Sequence, residues 1–372
     1  MLKVLHIGEY VQGGVATYIK TLLSDDDKEI ENYLLLAWEK SEHEWNLPTE
    51  QVHYYHNYRR SIGSVLKAML KIRQSIKNIK PDVIYCHSTW AGVLARFPML
   101  LIGKNCRVIY NAHGWAFLRD TAEWKRKIFA GVERLLTNVT DKIINVSKYE
   151  YNTAVKYGIN KEKMCVIYSG ISANKKPITK KITMPSDRIN LLFVGRFDPQ
   201  KGIDWLLRVF PKCPRKDIHL YVIGDNVVSN GMGIEKKNTE KVTFLGWVNH
   251  DELPAYYEAC DAVIMPSRWE AFGLVAIEAM KYGKTVIASN RGALPELITN
   301  NVNGFVFDLN NVNMLYKILG NINKDSVENS KKRIEQIFYQ KFTDSIMKLM
   351  TKNEYCETYY KDLIQGAENI GK

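Results

Sequence analysis

The sequence lacks the features that mark membrane-spanning, disulfide-bonded or disordered chains. No apolar run in its 372 residues approaches the ~18 residues that a membrane-spanning helix needs. Its six cysteines lie at least 20 residues apart, so it has neither a CxxC redox pair nor a zinc knuckle, and we expect reduced thiols. It has no low-complexity segment and no short internal repeat, which excludes solenoids and propellers.

Composition and length indicate a globular chain of about two domains. The 46% hydrophobic and 25% charged residues are ordinary globular values. The length exceeds the ~250–300 residues at which single cores stop growing. The opening segment MLKVLHIGEY predicts a first β-strand and not a signal peptide, so we expect a cytoplasmic protein.

The charge is positive and unevenly distributed. The formal net charge is +12, with 25 Lys and Arg against 17 Asp and Glu in residues 1–175, and 27 against 23 in residues 176–372. This excess favours a polyanionic partner, which leaves nucleic acid, an anionic membrane surface and a phosphorylated substrate as alternatives.

Strand-like and helix-like segments alternate along both halves of the chain, a pattern typical of doubly wound α/β proteins with parallel sheets. In the first half the predicted strands are VLHI at 4–7, DVIYC at 82–86, RVIYNA at 107–112 and KIINV at 142–146. In the second half they are INLLFVG at 189–195, HLYVIG at 219–224, VTFLG at 242–246, DAVIMP at 261–266 and TVIAS at 285–289. Two similar α/β domains are therefore predicted.

A polar segment separates the two halves, and a helical segment ends the chain. NKKPITKKITMPSDR at 174–188 lacks apolar periodicity and is predicted to be the interdomain linker. From about Asp325 onward the apolar spacing indicates helices. We predict a helix bent near Phe342 that crosses back to the first domain. The predicted divisions are an N-terminal α/β domain at 1–173, a second α/β domain at 174–340 and this C-terminal helix at 341–372.

Glycines mark a first candidate anion site. In GEYVQGGVATYI, Gly13 and Gly14 stand just before a predicted helix, where backbone N–H groups and the helix dipole can approach an anion. The alternative is an ordinary tight turn. Neither a GxGxxG fingerprint nor a Walker loop is present, so a dinucleotide dehydrogenase is not favoured.

Two cations mark a second candidate site. In GRFDPQKG at 195–202, Arg196 and Lys201 follow a buried strand and precede a helix. Ligands of open α/β sheets bind at the carboxyl ends of the strands, so these cations suit a diphosphate. The alternative is a solvated basic loop.

Two glutamates mark a third candidate site, within PSRWEAFGLVAIEAM at 266–280. Glu270 precedes a predicted helix that starts near Gly273, and Glu278 lies inside it. Their spacing excludes a close carboxylate dyad, so they are expected to contact different parts of an extended ligand. Buried Glu278 needs a polar partner, such as ribose hydroxyls. Further anion contacts are expected from the first N–H groups of the helix, at Phe272, Gly273 and Leu274.

These motifs together resemble glycosyltransferase family 4. GGV near the N-terminus, GRFDPQKG, and the two glutamates at E-x7-E spacing match the family in order, as do GKTVIASNRGALPELI and NGFVF that follow. The similarity spans nearly the whole chain. It implies a retaining, nucleotide-sugar-dependent enzyme with the GT-B fold of two facing Rossmann-like domains.

The resemblance also implies roles for residues of the donor site. Arg196 and Lys201 would hold the donor diphosphate, Glu278 the ribose, and Glu270 hydroxyls of the transferred sugar. Backbone groups of Phe272, Gly273 and Leu274 would contact the sugar and phosphates. The remaining assignments are donor binding at Gly13 and Gly14 and a nucleobase contact at Trp247 or Val248.

The resemblance extends to one histidine and fails at the linker. NAHGW at 111–115 places His113 where related enzymes carry a histidine near the reacting carbon. The implied catalytic residues are thus His113, Glu270, Arg196 and Lys201. Where the family often has Asn-Gly-Ile/Val-Asp, this chain has SGIS at 169–172, which puts the hinge in doubt more than the chemistry.

The family mechanism is front-face transfer without a metal or other cofactor. Arg196, Lys201 and helix N-termini would stabilise the departing diphosphate, and a diphosphate oxygen would accept the proton of the acceptor. The acidic run at 25–27 superficially resembles a DxD metal site, but it follows a predicted helix and is interpreted as a solvated loop.

A basic amphipathic segment suggests the acceptor side. Residues 58–80 carry Lys and Arg without any acidic residue, together with an apolar side, and such a helix suits an anionic bilayer. The alternative is a crossover helix with a solvated basic face. The segment 121–136 adds an aromatic residue and further cations. The candidate membrane or acceptor residues are Arg59, Arg60, Lys67, Lys71, Trp124, Lys125 and Arg126.

The sequence thus predicts a peripheral enzyme at the inner face of the cell membrane. It would transfer a sugar to a polyprenyl-diphosphate-linked or other glycan during synthesis of a surface polysaccharide, lipopolysaccharide or capsule. The alternatives are a nucleotide-sugar epimerase or hydrolase of GT-B fold, or a basic nucleic-acid-binding protein. The last is disfavoured because no nucleic-acid-binding module is recognised, so no nucleic acid partner is expected.

Overall fold

The computed structural model describes residues 1–23, 29–56, 58–178, 180–226 and 233–343. The described chain divides into two compact units, an N-terminal unit of Met1–Ile171 and a C-terminal unit of Ser172–Thr343. Within these ranges, no helix combines the length and apolar character needed to cross a membrane. The five described cysteines are free thiols, as predicted.

The N-terminal unit has a parallel sheet of seven described strands in the order β3-β2-β1-β4-β5-β6-β7. These strands are β1 (Leu2–Gly8), β2 (Ile30–Ala37), β3 (Val52–Tyr55), β4 (Val83–His87), β5 (Arg107–Asn111), β6 (Lys142–Asn145) and β7 (Met164–Val166). The sequence predicted β1, β4, β5 and β6 but missed β2 and β3. The order reverses at β1 and β4, as in doubly wound folds.

Helices cover both faces of this sheet, since each parallel connection needs a crossover. One face packs on the first helix through Ala16 and Ile19, and the other packs on the remaining four through residues such as Ile72, Leu94, Ala130 and Ala154. The described helices are α1 (Gly14–Leu23), α2 (Ile62–Ile79), α3 (Thr89–Ile102), α4 (Glu123–Leu136) and α5 (Lys148–Lys156). Both predicted basic segments, 58–80 and 121–136, thus form helices on the same face.

The C-terminal unit has a second parallel sheet, with the described strands in the order β10-β9-β8-β11-β12-β13. The strands are β8 (Ile189–Val194), β9 (Ile218–Ile223), β10 (Val242–Gly246), β11 (Ala262–Met265), β12 (Thr285–Ser289) and β13 (Gly304–Phe307). The helices are α6 (Ile203–Val209), α7 (Leu253–Ala259), α8 (Leu274–Lys281), α9 (Leu294–Leu297), α10 (Val312–Asn321) and α11 (Lys324–Phe338). The predicted pair of parallel-sheet α/β domains is confirmed.

The structure describes most of the segment before β8 and the residues that directly follow α11. Between β7 and β8 the described residues form no helix or strand, and Lys281 of α8 holds this linker by donating to the carbonyl oxygens of Ser172 and Asn174. A short π-helix at Tyr339–Thr343 follows α11. Beyond residue 343 the predicted crossing helix lies outside the described residues, as does the acidic run at 25–27.

Candidate active site

Two loops meet at the carboxyl ends of β8 and β11, and their contact places Lys201 beside Glu270. Gly202 has φ +68°, and a Cβ there would collide with the carbonyl oxygen of Pro266, so the loops approach as closely as a glycine allows. Lys201 Nζ lies 2.7 Å from Glu270 Oε1, which also accepts from Ser267 Oγ at 2.8 Å. Glu270 is only 4% exposed, so packing as well as these two hydrogen bonds fixes its position.

A second cation ties the same two loops together, and sequence reasoning missed it. Arg268 binds Asp204 through two hydrogen bonds of 2.7 and 2.6 Å, and its backbone N–H donates to Gln200. Bidentate Arg–carboxylate pairs fix geometry as well as charge. Arg268 stands inside the motif that contains Glu270, but its partner belongs to another element, so only the three-dimensional contact reveals its role.

Arg196 lies on the same loop as Lys201 and already has a carboxylate partner. Its Nη2 is 3.1 Å from Asp198 Oδ2, while Asp198 Oδ1 accepts the backbone N–H of Lys201 at 3.1 Å. Asp198 therefore contacts both residues that were predicted to bind the diphosphate, Arg196 and Lys201. The Arg196 side chain keeps about a third of its surface exposed, so the guanidinium remains open to an incoming anion.

Glu278 is nearly buried and is held by two side chains that the sequence did not reveal. Tyr257 donates its hydroxyl to Oε2 at 2.8 Å, and His250 Nε2 lies 3.4 Å from Oε1. Burial alone would raise the pKa of Glu278, but His250, Tyr257 and Lys201 outweigh it and hold the pKa below its ordinary value. The hydrogen bond to Glu278 raises the pKa of His250. Glu278 is thus an ionised acceptor inside the site.

The remaining predicted donor residues surround α8 and follow β10. Gly273 has φ +109° and forms the N-cap of α8, whose first N–H groups lack acceptors within the helix. Phe272 is buried and Leu274 begins the helix. Trp247 is exposed and Val248 half-buried just after β10. Arg196, Lys201, Glu270 and the α8 terminus thus lie on loops at one edge of this sheet.

Another set of predicted residues belongs to the N-terminal unit. Gly13 has φ +56° and α1 begins at Gly14, so this turn requires a glycine-like backbone. His113 follows β5 with φ +48°, which is uncommon for a non-glycine residue. Its backbone N–H donates to Asn111 Oδ1 at 2.9 Å. Strained, hydrogen-bonded backbone at a strand end is typical of a functional residue.

His113 is the last of three hydrogen-bonded histidines. Its Nε2 lies 3.1 Å from His87 Nδ1, and His87 Nε2 lies 3.0 Å from His6 Nδ1. Burial lowers the pKa of His6 to about 4 and of His113 to about 3, and it lowers that of His87 well below the usual value. All three are neutral at pH 7. Sequence reasoning found His113 but missed the other two, although His6 lies within β1 and His87 ends β4.

The residues predicted to face the acceptor or membrane fall into two groups, those paired with carboxylates and those with exposed side chains. Arg60 binds buried Glu9 with two contacts of 3.1 Å, and Lys40 Nζ lies 2.9 Å from the same carboxylate. Arg126 lies 3.7 Å from both Asp120 and Glu123. These two arginines are therefore engaged within the protein. The others are exposed on or beside α2 and α4, namely Arg59, Lys67, Lys71, Trp124 and Lys125.

Family models match both units of this chain. The model described as Glycosyltransferase Family 4 matches residues 12–175, and the model described as Glycosyl transferases group 1 matches residues 174–341. An uncharacterized 41.2 kDa protein in the cps region of Klebsiella pneumoniae is 36% identical over 96% of this chain and 99% of that protein. The chain belongs to glycosyltransferase family 4.

Two further comparisons concern activity and fold. This glycosyltransferase is 24% identical to the Escherichia coli UDP-Gal:alpha-D-GlcNAc-diphosphoundecaprenol alpha-1,3-galactosyltransferase, over 71% of this chain and 72% of that enzyme. The structure of sucrose-phosphate synthase from Thermosynechococcus elongatus matches with a TM-score of 0.78 at 19% identity, covering 98% of this chain and 100% of that one. The predicted GT-B class is confirmed, and neither alternative function gains support.

Proposed function

We propose that this glycosyltransferase moves a sugar with retention, and without a metal, from a nucleotide diphosphate sugar to a lipid-linked glycan at an anionic membrane surface. The observation that carries the proposal is the 2.7 Å contact between Lys201 Nζ and Glu270 Oε1. It joins one cation and one carboxylate at the carboxyl ends of adjacent strands, where ligands of open α/β sheets bind.

The cations act on the leaving group. When the bond between sugar and phosphate loosens, negative charge grows on the diphosphate, and Arg196 and Lys201 stabilise it together with the first N–H groups of α8. Glu270 holds the Lys201 ammonium in one position. Such preorganised charges lower the barrier because they need little rearrangement during the reaction. The same two cations supply the positive charge that a metal ion would otherwise bring.

The proposed retention does not use Glu270 as a nucleophile. A retaining enzyme with a carboxylate nucleophile needs that carboxylate free to attack the sugar. Here Glu270 Oε1 accepts hydrogen bonds from Lys201 and Ser267, so it acts as an acceptor for sugar hydroxyls. The acceptor hydroxyl then enters on the face that the diphosphate leaves, and a diphosphate oxygen takes its proton. His113 accepts a hydrogen bond from a substrate hydroxyl near the reacting carbon.

Glu278 binds the ribose of the donor. It is ionised, nearly buried and only loosely held on one side, where His250 lies 3.4 Å away. A carboxylate of this kind can accept from two ribose hydroxyls, and such charge-assisted bonds contribute about 1.5–3 kcal/mol each. We assign the nucleobase to Trp247 or Val248, which follow β10.

Exposed apolar side chains on the N-terminal unit support membrane binding. On α2, Ile62, Leu66 and Leu70 are 84%, 56% and 66% exposed at four-residue spacing. Helix α3 packs between α2 and α4 and exposes Leu101 and Ile102 beside them. On α4 the exposed apolar side chains are Trp124, Ile128, Val132 and Leu135.

We call these exposed apolar residues of α2, α3 and α4 the helical face. Lysines and arginines stand beside it, including Arg59, Lys67, Lys71 and Lys125. Apolar area combined with adjacent cations is what binds a protein at an anionic bilayer, where each cation near the surface contributes about 1 kcal/mol. This arrangement favours a peripheral position at the inner face of the cell membrane.

The acceptor class is supported by the relatives. The name of the E. coli relative states that it acts on a sugar linked to diphosphoundecaprenol, and the K. pneumoniae relative is described as lying in a cps region. An enzyme that binds the bilayer surface reaches a polyprenyl-diphosphate-linked sugar directly. We therefore assign the chain to the assembly of a surface polysaccharide.

The test begins with a thermal-shift screen of UDP, GDP, ADP and their sugars. A nucleotide at 100 times its dissociation constant stabilises the folded protein by about 2.7 kcal/mol. The selected donor is then incubated with polyprenyl-diphosphate sugars, and the anomeric configuration of the product is read by NMR. An inverted product refutes retention, and nucleotide release that no acceptor accelerates refutes transfer. Loss of activity in EDTA with rescue by magnesium refutes metal independence.

A further inference from the structure

A row of polar side chains crosses the sheet of the N-terminal unit. Asn32 on β2, His6 on β1, His87 on β4 and His113 after β5 come from adjacent strands. The contacts are 3.0 Å from Asn32 Oδ1 to His6 Nε2, 3.0 Å from His6 Nδ1 to His87 Nε2, and 3.1 Å from His87 Nδ1 to His113 Nε2. We call these four residues the histidine row.

The histidine row lies in an apolar setting. His6 and His87 are fully buried on the sheet face that packs on α1 through residues such as Val4, Leu34 and Ile109. Buried imidazoles stabilise a core less than aliphatic side chains of similar size, unless every polar atom finds a partner. Both ring nitrogens of His6 and of His87 have one, so the row is a complete hydrogen-bonded chain.

The chemistry of neutral imidazole makes the row directional. Each neutral ring has one N–H donor and one bare nitrogen acceptor, so the proton position on one ring dictates the position on the next. The lowered pKa values of His6, His87 and His113 keep all three rings neutral near pH 7. With one proton per ring, the three rings carry their protons either all on Nε2 or all on Nδ1. The group that contacts the first ring selects between these two patterns.

Asn32 selects the pattern, because its Oδ1 faces His6 Nε2 and can only accept. His6 must then carry its proton on Nε2 and accept on Nδ1 from His87 Nε2. His87 in turn accepts on Nδ1 from His113 Nε2. The proton of His113 is thus on Nε2 and its lone pair is on Nδ1, where none of the described residues forms a hydrogen bond.

We propose that Asn32, His6 and His87 are positioning residues that fix His113 as the Nε2–H tautomer and present its Nδ1 lone pair to a substrate hydroxyl. The substrate part rests on the proposed function. The backbone also helps to position His113, because the hydrogen bond from its N–H to Asn111 Oδ1 holds the residue at its φ of +48°. The opposite tautomer would present an N–H and repel a hydroxyl that donates.

The first test needs no substrate and no variant. In long-range proton–nitrogen NMR of the ¹⁵N-histidine-labelled full chain at pH 7.5, neutral Nε2–H and Nδ1–H rings give distinct patterns. Three linked rings in the Nε2–H form support the proposal. An Nδ1–H pattern or a mixture at His113 overturns it, whatever the enzyme proves to transfer.

Variants at Asn32 test the cause. Asn32→Asp keeps an oxygen toward His6 in either side-chain orientation, so His113 stays in the Nε2–H form. Asn32→Leu removes the acceptor, and His113 then populates both tautomers. His53→Gln, at a half-buried histidine of β3 outside the row, is the matched control and leaves His113 unchanged. An Asn32→Leu protein that folds but keeps a pure Nε2–H ring overturns the proposal.

Kinetics separate positioning from stability. With the donor selected by the thermal-shift screen, Asn32→Leu lowers kcat by about 10–100-fold, as loss of an orienting partner does, while the KM for donor is unchanged. Asn32→Asp, which keeps an acceptor oxygen, has a kcat close to that of the unsubstituted enzyme. If kcat is unchanged while the NMR tautomer shifts, the substrate part of the proposal is overturned. If His113→Gln also transfers normally, the proposed role of His113 fails and the tautomer assignment stands.

Discussion

Lys201 Nζ and Glu270 Oε1 lie 2.7 Å apart, so each depends on the other for its charge balance. We expect Lys201→Ala to reduce kcat/KM by roughly 10²–10³, the scale of losing one preorganised donor worth about 2.7–4 kcal/mol. Lys212→Ala removes an exposed lysine from the same unit and serves as the control. Transfer assays on both variants check this. Near-normal transfer by Lys201→Ala contradicts the assignment.

Glu278 is predicted to recognise ribose and not phosphate. Glu278→Gln removes a charged acceptor, which should weaken UDP or GDP binding by about 10–100-fold, equivalent to roughly 1.5–3 kcal/mol. Calorimetry with the nucleotide and with pyrophosphate separates the two roles, because pyrophosphate has no ribose and should bind both proteins alike. Equal losses for both ligands would show that Glu278 acts on the phosphates instead.

The approach of the two donor-site loops depends on Gly202. We expect Gly202→Ala to abolish transfer, because the added Cβ collides with the Pro266 carbonyl oxygen and Ala is also disfavoured at φ +68°. Gly320→Ala is the matched control, since a Cβ there meets nothing within 4 Å and Ala favours its helix. Transfer assays and thermal unfolding of both variants measure the difference. A fully active Gly202→Ala protein would show that loop contact is dispensable.

The buried histidines predict a loss of stability in acid. The folded-state pKa of His6 is about 4, below the unfolded value of 6.5, so the unfolded chain binds more protons below pH 6.5. The stability is complete above that pH and declines toward pH 4, by about 3 kcal/mol for His6 alone. Hydrogen exchange of β1 and β4 in urea at several pH values measures it. His6→Gln should flatten the pH dependence, and an unchanged slope would contradict the assignment.

Binding to anionic vesicles should require the helical face. Replacing Ile62, Leu66 and Leu70 with Ser removes three exposed apolar side chains, and since each buried CH₂ contributes about 0.8 kcal/mol, most binding should disappear. Met314→Ser, at an exposed position of the C-terminal unit, is the control. Sedimentation at low salt compares anionic with neutral vesicles. Binding that ignores lipid charge, or that survives the triple change, would refute a membrane role for this face.

The sequence predicted the strongly apolar strands and failed at the weakly patterned ones. Strand β8 is apolar at every position except Asn190 and was found. Strand β2 carries Glu31 and Asn32 near its start, β3 has four residues at the sheet edge, and β13 begins with a glycine. These three strands gain their stability from neighbouring strands in the sheet, which local periodicity does not report.

Within the candidate site, short-range motifs were readable and long-range partners were not. Arg196 and Lys201 stand close together in one loop, so the sequence shows them as a pair. Tyr257 reaches Glu278 from another helix, and the registers of β1 and β4 bring His6 to His87 across 81 positions of the chain. The order and register of the strands determine such long-range contacts, and the local sequence of a single segment does not report them.

Asp198 is a counter-ion of Arg196, so a ligand must bind the guanidinium more strongly than this carboxylate does in order to replace it. A weakly charged solute gains little by competing with a carboxylate already 3.1 Å from the guanidinium. A ligand with two linked phosphates can replace that carboxylate at Arg196 while its second phosphate approaches Lys201, a second contact that a solute with a single charge cannot make. In the proposed mechanism the departing nucleotide leaves Asp198 as the partner of Arg196 again, and this pairing holds the guanidinium in the same position for the next turnover.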